Sequence, residues 1–233
     1  MLNPSRMDQL TKRTTERAGR LSLEELREEY RRDRLDETNC DSNPFRQFEL
    51  WLKEAQVAEI KEPTAMTLST STPDGRPSAR IVLLKELEEN GFVFYTNYQS
   101  RKGREISANP YVALTFYWGV LERQVRVEGQ VAPVSREKSE AYFRKRPKGS
   151  RLGALVSNQS EAVPGRAPLE AKLAELEQRY KGTDQVPVPA HWGGYRVTPD
   201  MFEFWQGRPN RLHDRLIYKR GSQAEWLLER LSP

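Results

Sequence analysis

The chain has 233 residues, of which 36% are hydrophobic and 30% charged, with a formal charge of +5 and a pI near 9.3. That length suits one large domain or two small ones, and no apolar run approaches the roughly 18 residues that a membrane span needs. A single cysteine, Cys40, and two histidines exclude an internal disulfide framework and give no basis for a structural metal site, so no metal is expected.

Residues 1–20 are polar, lack both apolar periodicity and the apolar core of a secretory leader, and are expected to form a mobile tail of a cytoplasmic protein. In "SLEELREEYRRDRL", Ser22 and Glu25 make a capping-box pattern, and Leu23, Leu26 and Tyr30 mark one helical face. "NPFRQFELWLKEA" places Asn43 as N-cap and Pro44 at the first helical position, with Phe45, Phe48, Leu52 and Ala55 facing inward. Strand patterns follow at 65–71 and 77–85, joined by the turn "TPDG", and again at 92–97. "SRKGREISANP" reads as a short helix capped by Ser100, then come strands at 111–118 and 123–134. Helices are expected at about 136–146, 150–156 and 169–180. After the Pro-rich "QVPVPAHWGG", strands are expected at 194–198, 201–206, 212–219 and 225–230. Antiparallel strands with inserted helices, and no glycine-rich phosphate loop, indicate a mainly β, α+β domain: a β-barrel with peripheral helices over 21–233.

Four stretches carry candidate chemistry. In "SARIVLLK" the strand period puts Arg80, Val82 and Leu84 on one face and Ile81, Leu83 and Lys85 on the other, so the two cations serve different ligands unless a bulge intervenes. Arg101 and Lys102 open a helix, where cations oppose the helix dipole unless an anion such as phosphate sits there. Tyr142 and Arg146 share a helical face, with Ser150, Gln159 and Ser160 downstream. "WQGRPNRLHDR" sets His213 among Arg208, Arg211, Asp214 and Arg215, with Trp205 nearby. Each stretch taken alone also fits a solvated charged surface or, for Trp205, a core aromatic.

Taken in order, "RIVLLK", "YTN..SRKG", "LERQVRVEG", "YFRKRPKGS", "VSNQS", "WGGY" and "FWQG...RLHDR" resemble the pyridoxine (pyridoxamine) 5′-phosphate oxidase family from about Arg27 to the C-terminal "RLSP". The resemblance implies an FMN-binding split β-barrel, dimeric through strands of about 190–233, with active sites between two copies. It implies oxidation of pyridoxine and pyridoxamine 5′-phosphates to pyridoxal 5′-phosphate, with O2 reduced to H2O2. FMN contacts are implied for Arg80, Ile81, Val82, Leu83, Leu84 and Lys85, for Tyr95, Thr96, Arg101 and Lys102, and for Gln124, Gln159, Ser160, Trp205 and Arg215. Substrate contacts are implied for Arg27, Tyr30, Lys85, Tyr142, Arg146, Ser150, Arg211 and His213, with Arg211 and His213 nearest the chemistry, two apart on a strand. Arg151 departs from the family, where Gln often follows the serine, and Arg208 lies in a loop that varies. The rival readings are another split-barrel flavin-dependent reductase and a non-enzymatic binder of vitamer phosphates or nucleic acid.

Overall fold

A computed structural model describes residues 29, 30 and 32–233; the expected tail over 1–20 and most of the capped helix after Ser22, with Arg27, lie outside them. Tyr30 belongs to a separate compact unit, Met1–Tyr30, and everything below concerns the unit Arg31–Pro233.

Helix α1 (Pro44–Val57) starts as the sequence indicates: the Asn43 side chain accepts from the Phe45 N–H and Pro44 occupies the first turn. Its buried stripe is Phe45, Phe48, Trp51 and Ala55. Trp51 takes the inward place expected for Leu52 and carries the Arg123 guanidinium 4.4 Å above its ring. Phe48 is fully buried and meets Phe92 and Phe116 at centroid distances of 4.9 and 4.8 Å. Helix α1 thus fills the inner side of the sheet.

That sheet has nine antiparallel strands: β1 (Ala65–Ser71), β2 (Pro77–Leu83), β3 (Glu86–Glu88), β4 (Gly91–Asn97), β5 (Tyr111–Trp118), β6 (Arg123–Pro133), β7 (Trp192–Gln206), β8 (Asp214–Arg220) and β9 (Trp226–Arg230). The order is β2-β1-β5-β6-β7-β4-β3, with β8 and then β9 attached to β7. Strand β7, read from the sequence as two short strands, is continuous over 15 residues. One edge pairs with β6 from Tyr195 to Gln206. The other pairs with β4 over its first half and with β8 over its second. The sheet therefore forks along β7, which splits the barrel. The bend falls at a register shift beside Gly129, where Asp200 is the extra residue.

Strand β2 ends at Leu83, two residues short of expectation. The Leu84 N–H still reaches the Thr64 carbonyl, but the Lys85 N–H donates to Val93 on β4. The chain changes strand partners there, so alternation of faces stops before Lys85. The strand expected over 212–219 also starts late. Pro209–Arg211 is a 3₁₀ turn with Asn210 and Arg211 at positive φ, and β8 begins only at Asp214. Arg211 and His213 therefore sit in a loop, not on a strand, because the left-handed pair bends the chain out of extended geometry.

Four more helices lie outside the sheet: α2 (Arg101–Ala108), α3 (Arg136–Lys145), α4 (Lys148–Val156) and α5 (Ala167–Arg179). The last two supply Leu152, Val156 and Leu176 to a second small core, completed by Phe143 of α3, Val186 and Trp192. Helix α2 is pressed onto the end of β4, and a Cβ at Gly103 would lie 2.0 Å from the Tyr98 carbonyl oxygen. Gly103→Ala should destabilise the fold by about 1–3 kcal/mol, since backbone cannot give way as a side chain can. Gly149, on α4 with nothing within 4 Å of an added Cβ, is the control. Gly149→Ala should be neutral or stabilising by up to about 1 kcal/mol. Urea midpoints of the two variants should move in opposite directions, and equal shifts would show that helix propensity, not the Tyr98 contact, governs both sites.

Candidate active site

A cavity of about 850 Å³ opens where β2, the end of β4, and helices α2, α3 and α4 converge. It gathers most of the residues singled out in the sequence: Arg80, Ile81, Val82, Leu83, Lys85, Tyr95, Thr96, Arg101, Lys102, Tyr142, Arg146, Ser150, Gln159 and Ser160. Arg80 and Lys85 both line it, as do Ile81, Val82 and Leu83 between them, so both faces of the strand contribute and the strand period does not separate the two cations. Leu84 instead packs into the main core, 5% exposed.

At one end, the Ser100 side chain caps α2 by accepting from the Gly103 N–H, and the Arg101 N–H donates to Ser160 Oγ at 3.1 Å. Glu105, one turn into the helix and 6% exposed, is the buried counter-charge. It binds Arg101 Nε at 2.8 Å and Arg80 Nη2 at 3.2 Å, and accepts from Thr70 and Ser78 at 2.5 Å each. Burial pushes its pKa up, but the Ser78, Thr70 and Arg101 hydrogen bonds outweigh that and hold it at about 2. Lys102 differs. Its Nζ, in a residue 9% exposed, meets only neutral oxygens: Gln159 Oε1 at 2.7 Å, Thr96 Oγ1 at 3.2 Å and Ser100 Oγ at 3.3 Å. Burial, reinforced by Arg80, drags its pKa down to about 8.

The other end is aromatic. Tyr142 stacks on Tyr95 at 3.9 Å, and Tyr95 lies 5.4 Å from Trp192, all three rings nearly parallel. Gly193 and Gly194 let Tyr98 and Tyr95 lie directly on the β7 backbone, where a Cβ would come within 2.0 and 2.8 Å of those rings. Burial raises the Tyr95 pKa to about 12 and lifts Tyr142 as well, so both phenols stay protonated. The Arg146 guanidinium lies 4.8 Å above Trp192, and its Nη1 is buried without a hydrogen-bond partner among the described residues. Trp192 was not singled out by sequence reasoning; its place just before the paired glycines of "WGGY" was the available signal.

The remaining expected residues form a second group, not part of this cavity. Gln124, Trp205 and Arg215 face one another across β6, β7 and β8. Arg215 donates to the buried Glu203 at 2.8 Å and to the Ser232 carbonyl. Trp205 lies 4.6 Å from the His213 ring. His213 Nδ1 accepts from the Arg208 N–H at 3.1 Å, and burial, then Arg211, depress its pKa. The ring is thus neutral at pH 7, with its hydrogen on Nε2. Arg208 holds this loop together, also reaching the Asp33 carbonyl and lying 3.5 Å from Asp214.

Comparison with known proteins gives the family. Residues 52–180 match the family model described as pyridoxamine 5′-phosphate oxidase, and 192–233 match that described as pyridoxine 5′-phosphate oxidase C-terminal dimerisation region. A pyridoxine/pyridoxamine 5′-phosphate oxidase of Rubrobacter xylanophilus is 59% identical over 92% of this chain and 98% of its own. One from Cyanothece sp. is 56% identical over 91% and 99%. Among solved structures, PhzG from Burkholderia lata, in complex with tetrahydrophenazine-1-carboxylic acid, superposes with a TM-score of 0.81 at 32% identity, covering 86% of this chain and 98% of its own. A pyridoxamine 5′-phosphate oxidase-related, FMN binding protein from Nostoc punctiforme shares the fold at a TM-score of 0.64 and 19% identity, over 82% and 98%. With a family model spanning over half its length and relatives above 50% identity along nearly all of it, this chain belongs to the pyridoxine/pyridoxamine 5′-phosphate oxidase family.

Proposed function

We propose that the protein catalyses FMN-dependent oxidation of pyridoxine and pyridoxamine 5′-phosphates to pyridoxal 5′-phosphate, with O2 leaving as H2O2 and ammonia released from the amine. The observation that carries this reading is one cavity with two separate unmet demands for an anion. Lys102 is a buried cation with only neutral partners, and Arg146 is a guanidinium with a buried, unpartnered N–H. The first end, with Arg80, Arg101, Gln159 and Ser160, fits the phosphate of FMN. The second, with Lys85, Tyr142 and Ser150, fits the phosphate of a vitamer. A flavin reductase acting on a substrate without phosphate has no use for the second set.

FMN supplies the hydride acceptor when bound, and the protein's own part is placement and electrostatics. Lys85, Tyr142, Arg146 and Ser150 hold the substrate phosphate, with neutral phenol and hydroxyl donors beside two cations. Arg211 stabilises charge developing on the vitamer ring. His213, neutral and protonated at Nε2, donates a hydrogen bond that orients the substrate. With Nδ1 committed to the Arg208 N–H, it is a poor proton acceptor.

Arg211 and His213 reach that cavity only in a homodimer, where a second copy supplies them. Trp192 at the cavity and Trp205 in the second group stand at opposite ends of β7, up to roughly 40 Å apart at strand rise. The C-terminal match to a dimerisation region, and exposed Ile81, Tyr111 and Tyr117 on the sheet, support this arrangement. The partners are thus FMN, the two vitamer phosphates, O2 and a second copy of the chain.

These outcomes test the reading. Purified protein given FMN and pyridoxine 5′-phosphate should form pyridoxal 5′-phosphate. Arg80→Ala with Lys102→Ala should weaken FMN by about 10²- to 10⁴-fold, two charge-assisted bonds at about 1.5–3 kcal/mol each. Lys85→Ala with Arg146→Ala should keep FMN and raise KM instead, and equal damage to both constants would merge the two sites. Second, Arg146→Ala and Arg211→Met protomers, each nearly inactive alone, should regain roughly a quarter of wild-type activity when randomly mixed. Each mixed dimer then has one intact site; no recovery would place both residues in one protomer's site.

Third, the Lys102 pKa falls from 10.5 to about 8 on folding. Below pH 8 its buried charge costs the FMN-free protein on the order of 3 kcal/mol, 2.5 units at 1.36 kcal/mol each. The unfolded chain binds the extra proton between pH 8 and 10.5, so stability rises with pH across that window. Lys102→Met should therefore stabilise the FMN-free protein at pH 7 and lose that advantage by about pH 10.5, with FMN reversing the order at pH 7. Urea titrations at both pH values, with and without FMN, decide it.

A further inference from the structure

The residue next to Ser150 raises a separate question. Arg151 is 4% exposed, yet no carboxylate is buried with it. Its Nη1 donates to the Asp184 backbone carbonyl at 2.8 Å and its Nη2 to the Asp184 carboxylate. Its Nε is buried with no partner among the described residues. The pair is lopsided: the Arg151 side chain is 5% exposed and that of Asp184 77%. Water screens the carboxylate, while the guanidinium is surrounded by protein. The field that remains on the protein side is positive.

Helix α4 points that field at the cavity. Ser150, Gly153 and Ala154 line the cavity from α4, and Arg151 lies behind them on the same two turns. Arg146, whose own Nη1 lacks an acceptor, feels the Arg151 charge as a repulsion. A second cation, Lys148, already bonds the Tyr180 and Thr183 carbonyls at 2.6 Å each, where α5 ends. The clamp between α4 and the 180–184 turn therefore does not depend on Arg151 alone, and a clamp needs no charge buried this deeply.

We propose that Arg151 is a specificity-determining residue for the substrate's phosphate monoester: it binds no ligand atom, and its buried charge raises affinity for a dianion held by Arg146 and Ser150. The inference rests on the reading of Lys85, Tyr142, Arg146 and Ser150 as the substrate phosphate site.

The test uses FMN-saturated protein, with inorganic phosphate as the probe, titrated calorimetrically at fixed ionic strength. Arg151→Gln should weaken phosphate binding by about tenfold, a Coulomb effect across a partly buried path, and the loss should fall on KM for the vitamer phosphate rather than on kcat. Arg151→Lys, which keeps the charge and loses the fork, should retain most of the affinity. Asp184→Asn is decisive, because exposed Asp184 can be changed without disturbing the core. If Arg151 acts through its charge, removing the counter-ion strengthens phosphate binding by about two- to fivefold. If Arg151 is only a clamp, Asp184→Asn weakens binding as Arg151→Gln does, and the inference is overturned. No effect of Arg151→Gln, while Arg146→Ala still abolishes phosphate binding, overturns it as well. Phosphate binding unchanged in Arg146→Ala would overturn the phosphate-site reading, and this inference with it.

Discussion

The Glu105 carboxylate is the interaction on which the rest of this cavity depends. It is 6% exposed and holds four partners from three elements: Thr70 on β1, Ser78 and Arg80 on β2, and Arg101 on α2. A buried carboxylate is tolerable only when so fully bonded. In return it anchors the helix whose first turn lies at the cavity. The end it organises has three cations, Arg80, Arg101 and Lys102, against this one anion. The excess of two positive charges matches a phosphate monoester, which has about −1.5 to −2 at neutral pH. One acid more would cut that excess to one, and one fewer would leave two guanidinium groups unpaired in a desolvated place.

The fork of β7 is the second constraint. Because β4 takes one half of its free edge and β8 the other, a single strand carries Trp192 at the cavity and Trp205 among the loop residues. Buried Glu203, between them on β7, pairs with Arg126 at 3.0 Å and with Arg215 at 2.8 Å. It does for β6, β7 and β8 what Glu105 does for β1, β2 and α2. Each half of the sheet is thus built around one buried acid that fixes arginines in place.

Much of this was legible in the residues. The Asn43-Pro44 and Ser100 caps, the strands at 65–71 and 111–118, and a mainly β domain with peripheral helices follow from local patterns that the structure shares, while the split in the barrel came from the family resemblance. What failed locally failed for tertiary reasons. Alternation of faces separated Arg80 from Lys85, but the cavity takes residues from both faces of β2, and the chain trades β1 for β4 at Lys85. The strand expected over 212–219 begins late because Asn210 and Arg211 adopt positive φ, which no apolar pattern reports. Trp192 was passed over, since nothing in its spacing says that an arginine lies on it. Glu105 was equally silent, because a charged residue inside a short helix reads as solvent-facing until its partners on two strands are known.

The cavity's charge also bears on stability. Surface arginines in this chain are largely matched to carboxylates, as Arg136 is to Glu140, Arg179 to Glu175 and Arg230 to Glu37 and Asp214. Two cations of the cavity have no such match among the described residues: Lys102 among neutral oxygens, and Arg146 over a tryptophan. Desolvating a cation costs more than neutral hydrogen bonds return, so the ligand-free fold carries a penalty that an anion removes. A ligand that binds only the folded chain stabilises it by mass action, and here it also relieves that penalty. Anion affinity and fold stability are therefore coupled through the same side chains. Neutralising one of them trades ligand binding for a sturdier empty protein.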